Sequence, residues 1–216
     1  MKKQLAVLLS LFMVLSLFLV ACEEQQPAED SAEAPPAAAP AEEPADAAPA
    51  EASMSEWDGE WNNMGAYLDD EELQEGFVTL AERENVTPEE AKAAYVEKRH
   101  CEFDGLIIEG DKVRFLNAFP AAENAEELSA VEYEFVESHT VQHGNFELQW
   151  FVFKAKEADA KYPVLLMMEV HGEESMTHFH MRYGDDVDEL MAKEGWYPTF
   201  VKPNTTTQQL LEEITE

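Results

Sequence analysis

The chain of 216 residues carries 14 basic against 46 acidic side chains, a formal charge of −32. That excess excludes nucleic acid and anionic membrane surfaces as natural partners, because both repel it. Cations are the natural counter-species, although acidity alone only keeps a domain soluble and defines no site.

Lys2 and Lys3 precede an apolar run from Leu5 to Val20, which has the pattern of a secretory signal and is short for a membrane span. Leu19-Val20-Ala21-Cys22 resembles the bacterial lipobox. Residues 1–21 are therefore predicted to be a lipoprotein signal peptide, and Cys22 the lipidated first residue of the mature chain. Two acyl chains suffice for stable attachment, so the protein is predicted to be extracytoplasmic and held to the membrane by its lipid anchor, on the outer face of the cell membrane or in the periplasm. From Glu23 to Ser53 the chain is almost wholly Ala, Pro, Glu, Asp, Gln and Ser, with six prolines and no aromatic residue. It cannot bury enough apolar surface to fold, and residues 22–53 are predicted to be the lipidated cysteine and a disordered linker. With Cys22 committed to lipid, Cys101 is the only other cysteine, which leaves no internal disulfide and no thiolate cage for a metal. Cys101 is predicted to be a half-buried strand residue.

Residues 54–216 hold all four tryptophans and an ordinary apolar pattern, enough for a single folded domain. Trp57-Asp58-Gly59-Glu60-Trp61 is predicted to form a short turn whose rings plug one end of the core. Asp69 to Glu72 give an acidic first turn to a helix with Leu73, Phe77, Leu80 and Ala81 at helical spacing. Thr87-Pro88-Glu89-Glu90 is a capping box that starts a second helix, running to about Lys98, so two helices are expected before any strand. Three antiparallel hairpins follow: 102–108 with 112–117, the 131–135 region with 146–154, and 164–170 with 177–183. Helices at 185–192 and 206–214 close the chain. The predicted fold is mainly β with flanking helices, a small antiparallel β-barrel or sandwich. Tyr133, Phe135, Phe146, Leu148, Trp150, Leu165 and Met167 are expected to fill it.

Three of the six histidines fall in the last hairpin. His178 and His180 share a strand face about 6.6 Å apart. A two-residue turn at Glu174-Ser175 would set His171 directly opposite His178, with Cβ atoms roughly 4.5–5.5 Å apart. The same register puts Glu169 opposite His180, as a possible fourth ligand or an acceptor behind a ligand. Three neutral imidazoles suit Zn²⁺ best, with Cu²⁺, Ni²⁺, Co²⁺ and Cd²⁺ as competitors. His100, His139 and His143 lie at a helix end and near a hairpin tip, and are predicted to be surface residues.

WDGEW with AYLDD (66–70), TPEEAKAAY, GLIIEGDKVRF (105–115), EVH…THFHMRYG (169–184) and EGWYPTF (194–200) occur here in one order. In these motifs residues 57–215 resemble the ZinT (YodA) family of metal-binding proteins. The resemblance implies a lipocalin-like (calycin-like) barrel and zinc-binding histidines at His171, His178 and His180. It also implies a possible partner, the solute-binding protein of a zinc ABC importer, since the same domain occurs fused behind some such proteins. The chain departs from the family in three ways. The histidine-rich N-terminal segment is replaced by the Ala/Pro/Glu linker, no cysteines stand near Val131 and Ala155, and the first two site histidines are closer in sequence.

The expected function is therefore capture or buffering of Zn²⁺, with Cd²⁺ as a second cargo, and possible delivery to an importer. Binding is expected to fail below about pH 6, where histidine ligands take up protons. A zinc hydrolase would need a general base, for which Glu169 or Glu173 stand nearby, and an oxyanion donor, for which the sequence offers nothing. A lipocalin-like carrier of a small apolar ligand would need small residues lining the barrel, where the strands carry bulky ones.

Overall fold

The computed structural model describes residues 52–215, apart from 145 and 173–175. The signal peptide, Cys22 and nearly all of the linker lie outside that range. Eight strands close into a barrel in sequence order, every neighbouring pair antiparallel: β1 (Gly59–Asn63), β2 (Gly105–Glu109), β3 (Lys112–Leu116), β4 (Glu127–His143), β5 (Phe146–Ala155), β6 (Val164–Met167), β7 (His178–Gly184) and β8 (Thr199–Val201). Four helices flank it: α1 (Gln74–Glu84), α2 (Pro88–Arg99), α3 (Val187–Met191) and α4 (Thr207–Thr215).

The three predicted hairpins are present, and two further strands shut the sheet. Residues 57–61 do not form a turn alone: a 3-10 turn ends at Trp57 and β1 begins at Gly59, so a strand precedes the helices. Segment 196–200 likewise ends in β8. These strands are joined by Asn62 opposite Val201 and Asn63 opposite Phe200. Neither is joined to a sheet neighbour by a tight turn, because helices intervene between β1 and β2 and between β7 and β8.

The barrel interior is packed with side chains. Trp61 meets Phe179 edge to face at 4.7 Å, and Phe103 stacks with Phe200 at 5.6 Å and crosses Phe115 at 4.9 Å. Each such ring contributes about 1.5–3 kcal/mol by leaving water. The buried indoles keep their donors satisfied, Trp57 Nε1–H on the Met168 carbonyl at 2.8 Å and Trp61 Nε1–H on the Trp57 carbonyl at 2.7 Å. Tyr133, Leu165 and Met167 lie in this core, with Phe135 against it. Leu148 and Trp150 do not. Phe151 and Phe153 take the interior, while Trp150 joins Val152, Leu166 and Leu190 on the outer face beneath α3. The run Trp150-Phe151-Val152-Phe153 is apolar on both faces, so its phase cannot be read from hydrophobicity.

The helices build a second core in which Met64, Phe77, Leu80, Tyr95, Leu210 and Ile214 meet Met176 and Val201. The Thr87 capping box is formed, with Glu90 N–H on Thr87 Oγ1 at 3.2 Å and Thr87 N–H on Glu90 Oε2 at 2.9 Å. Asp69 to Glu72 precede α1, with Glu71–Leu73 forming a single 3-10 turn before it. Cys101 lies in the loop after α2 rather than in a strand, partly buried against the barrel core, and burial pushes its thiol up to about 12. No helix of the described residues is long and apolar enough to cross a membrane.

Candidate metal centre

β6 and β7 pair from Val164 opposite Gly184 to Met167 opposite Met181. Met168 N–H then donates to the His180 carbonyl at 2.9 Å. Beyond it, His171 and His178 exchange a reciprocal pair of backbone hydrogen bonds, both 2.9 Å. Regular pairing would have placed residue 170 opposite His178, so one extra residue is accommodated between Met168 and His171. His171 stands opposite His178, as the hairpin argument expects. Glu169 does not stand opposite His180: its side chain is exposed, and it meets the site through its backbone carbonyl. The expected turn at Glu174-Ser175 lies outside the described residues.

The three imidazoles converge. One nitrogen from each of His171, His178 and His180 lies within 4.8 Å of the others, and the ring centroids are 4.0, 5.4 and 5.1 Å apart. Nitrogens of a tetrahedral zinc shell stand about 3.4 Å apart, given bonds of about 2.1 Å. His178 is 8% exposed, and the other two are half-buried. Phe179 points between them into the barrel, where Trp61 and Phe200 hold it.

Each ring is fixed through Nδ1. The acceptor is the Glu169 carbonyl for His171 at 2.8 Å, the Met176 carbonyl for His178 at 2.7 Å, and Thr199 Oγ1 for His180 at 2.9 Å. A carbonyl only accepts, so Nδ1 carries the proton in the first two. Thr199 spends its own hydroxyl proton on the Tyr197 carbonyl at 3.2 Å, which leaves a lone pair for His180. With Nδ1 engaged in all three, Nε2 is the nitrogen each ring can turn to a metal, the arrangement that orients a histidine ligand. Burial, then the neighbouring His178, Arg99 and His171, hold His180 well below the ordinary histidine value. Burial also lowers His178, partly opposed by the Met176 hydrogen bond. Both rings are neutral and ready to coordinate at pH 7. This donor set fits a borderline ion such as Zn²⁺ and leaves a fourth coordination position open.

Sequence reasoning did not find Thr199, which faces His180 from β8. Nor did it find Gly172: the backbone there has φ +80°, and a Cβ would collide with the Met176 carbonyl that holds His178. A glycine right after a site histidine was the available signal. Of the other histidines, His100 is exposed at the end of α2 and His139 is half-buried on β4. Among the described residues they join no metal-holding cluster.

An up-and-down barrel with three converged histidines at one site defines a lipocalin-like metal-binding protein. The family described as "ZinT (YodA) periplasmic lipocalin-like zinc-recruitment" matches residues 44–216, and the chain belongs to it. It is thus a metal-binding protein of a zinc-recruiting family rather than an enzyme. A curated relative, the "Probable metal-binding protein YrpE" of Bacillus subtilis (strain 168), is 28% identical over 151 residues, which are 68% of this chain and 57% of that protein. This match therefore spans little more than half of the relative's length. Among solved structures, the Zn(II)-bound ZinT-like domain of Streptococcus pneumoniae AdcA superposes with a TM-score of 0.60 at 20% identity, covering 79% of this chain and 94% of that one. Zn(II)-bound AdcA itself gives 0.62 at 21% identity, covering 79% of this chain and 36% of that one. At those identities the likeness establishes the fold.

Proposed function

We propose that the chain is an extracytoplasmic lipoprotein that captures Zn²⁺ through Nε2 of His171, His178 and His180 and buffers it or delivers it to the solute-binding protein of a zinc ABC importer. The observation that carries this reading is the common orientation of the three rings, each with Nδ1 engaged and Nε2 free. Pre-set tautomers lower the cost of assembling the shell when the ion arrives. The open fourth position takes water, and an acceptor protein's ligand can replace that water, so the ion leaves by stepwise exchange. Cd²⁺ is accommodated by the same nitrogens. The signal-like residues 1–21 and Cys22 support a lipid anchor in the envelope, in keeping with a family described as periplasmic.

Calorimetric titration of the full chain with zinc at pH 7.4, beside a His178→Ala/His180→Ala variant, tests the site. One tight site, lost in the variant, is the expected result. Absence of binding, or binding unchanged in the variant, would refute it. Metabolic labelling with palmitate tests the anchor, with incorporation abolished by Cys22→Ala as the expected result.

A further inference from the structure

Behind the histidines lies a buried ion pair that the metal shell does not use. Arg99, the last residue of α2, is 5% exposed, and its guanidinium is sandwiched between the rings of Tyr95 and Tyr197, 4.4 and 4.6 Å from their centroids. Its Nη2 donates to Tyr95 Oη and to Glu213 Oε1 of α4, each at 3.2 Å. The Glu213 side chain is 14% exposed. Arg99 Nε and Nη1 have no partner among the described residues. A buried cation held by one carboxylate, with two donors idle, is a poor stabiliser, because apolar groups of similar size commonly do as well. Its position is what calls for a reason.

Tyr197 joins the pair to the site. Its ring meets the His180 imidazole at 5.5 Å, so this distance and the 4.6 Å to the guanidinium together cap the separation of Arg99 from His180. Its carbonyl holds the Thr199 hydroxyl that fixes His180.

Building on the three-histidine reading above, we propose that Arg99 is an electrostatic brake on the metal site, and that Glu213 sets its strength. A fixed positive charge this near the rings opposes a divalent ion held on them and keeps affinity low enough for the ion to be passed on. Partial neutralisation by Glu213 keeps capture possible. A unit charge at such a distance from a dication, at an effective dielectric of about 20 or somewhat more, shifts affinity by about tenfold to a hundredfold.

The test is zinc affinity and release rate of the full chain, measured by competition with a chromogenic chelator at pH 7.4, with thermal melts to confirm folding. Arg99→Met is expected to tighten zinc about tenfold or more and to slow its release. Glu213→Gln should weaken binding, and Arg99→Lys should stay close to the parent. Arg99→Met/Glu213→Met removes both charges and should return affinity to within about threefold of the parent. Glu213→Gln strands a buried guanidinium, so if it does not fold, Arg99→Met and the double variant decide between them. Affinity unchanged in Arg99→Met, or lowered in both single variants, would overturn the brake and leave the histidine site standing. A parent chain that binds no zinc, or binds it without His178 and His180, would overturn the site itself.

Discussion

The β4–β5 hairpin and the β6–β7 hairpin both carry histidines on their strands, and they treat them differently. On β4, His139 faces Trp150 across the ladder, and its Nε2 lies 3.5 Å from Glu137 Oε1. His143, four residues further along the same strand, stands about 13 Å away. The second hairpin gathers its histidines from both strands, inserts one residue before His171, and gives every Nδ1 an acceptor. The first hairpin has two histidines four residues apart on one strand, and the second has three, two of them alternating on β7. Convergence across strands and a fixed tautomer set the second apart.

The contrast can be broken most strongly at the proposed ligands. His178→Ala or His180→Ala should each lower zinc affinity by about 10²–10³-fold, roughly a quarter of the binding free energy of a structural zinc site. His139→Ala, read in the same chelator competition, should change it by less than about twofold. Phe179→Ala attacks the shared support, because this residue sits between the two histidines on β7 and its ring packs on Trp61 and Phe200 in the barrel core. Denaturant unfolding should show a loss of about 3–5 kcal/mol.

Thr199→Val sharpens the comparison by removing only an acceptor. The loss of the His180 Nδ1 partner should weaken zinc by about 10–100-fold, with the fold retained in circular dichroism. Protons give a smaller and graded effect. Burial lowers His178 and His180 below the ordinary value, so on acidification below about pH 6.5 the unfolded chain takes up protons before the folded one. Stability of the metal-free protein is therefore full above that pH and falls as pH drops through the lowered native values. Thermal melts at pH 7.5 and 5.5 should show the decline, and His180→Gln should reduce it. Zinc binding should persist to lower pH than the value near 6 expected for ordinary histidines. The smallest effect belongs to the β4–β5 hairpin: Val141, 36% exposed, should tolerate Thr within about 0.5 kcal/mol.

What the sequence disclosed follows the same physics. The Thr87 capping box, the three hairpins and the pairing of His171 with His178 rest on local rules of a few residues, and all were legible. β1 and β8 were not, since helices separate each from its sequence neighbour in the sheet and no tight turn marks a hairpin there. The face assignment of Trp150 failed because its strand is apolar on both sides. The extra residue between Met168 and His171 has no side-chain signature, and it is what carried Glu169 away from His180. Thr199, Arg99 and Glu213 reach the site from other elements, and single-sequence spacing gives no measure of such distances.

The proposed shell is three histidine nitrogens on one ion with one position open. X-ray absorption at the zinc edge of the full chain loaded with one equivalent tests it most directly. Three imidazole nitrogens at about 2.0–2.1 Å with a single oxygen neighbour are expected, with loss of the imidazole pattern in His178→Ala/His180→Ala. A shell of oxygens alone, of the kind the acidic surface would supply, would contradict it.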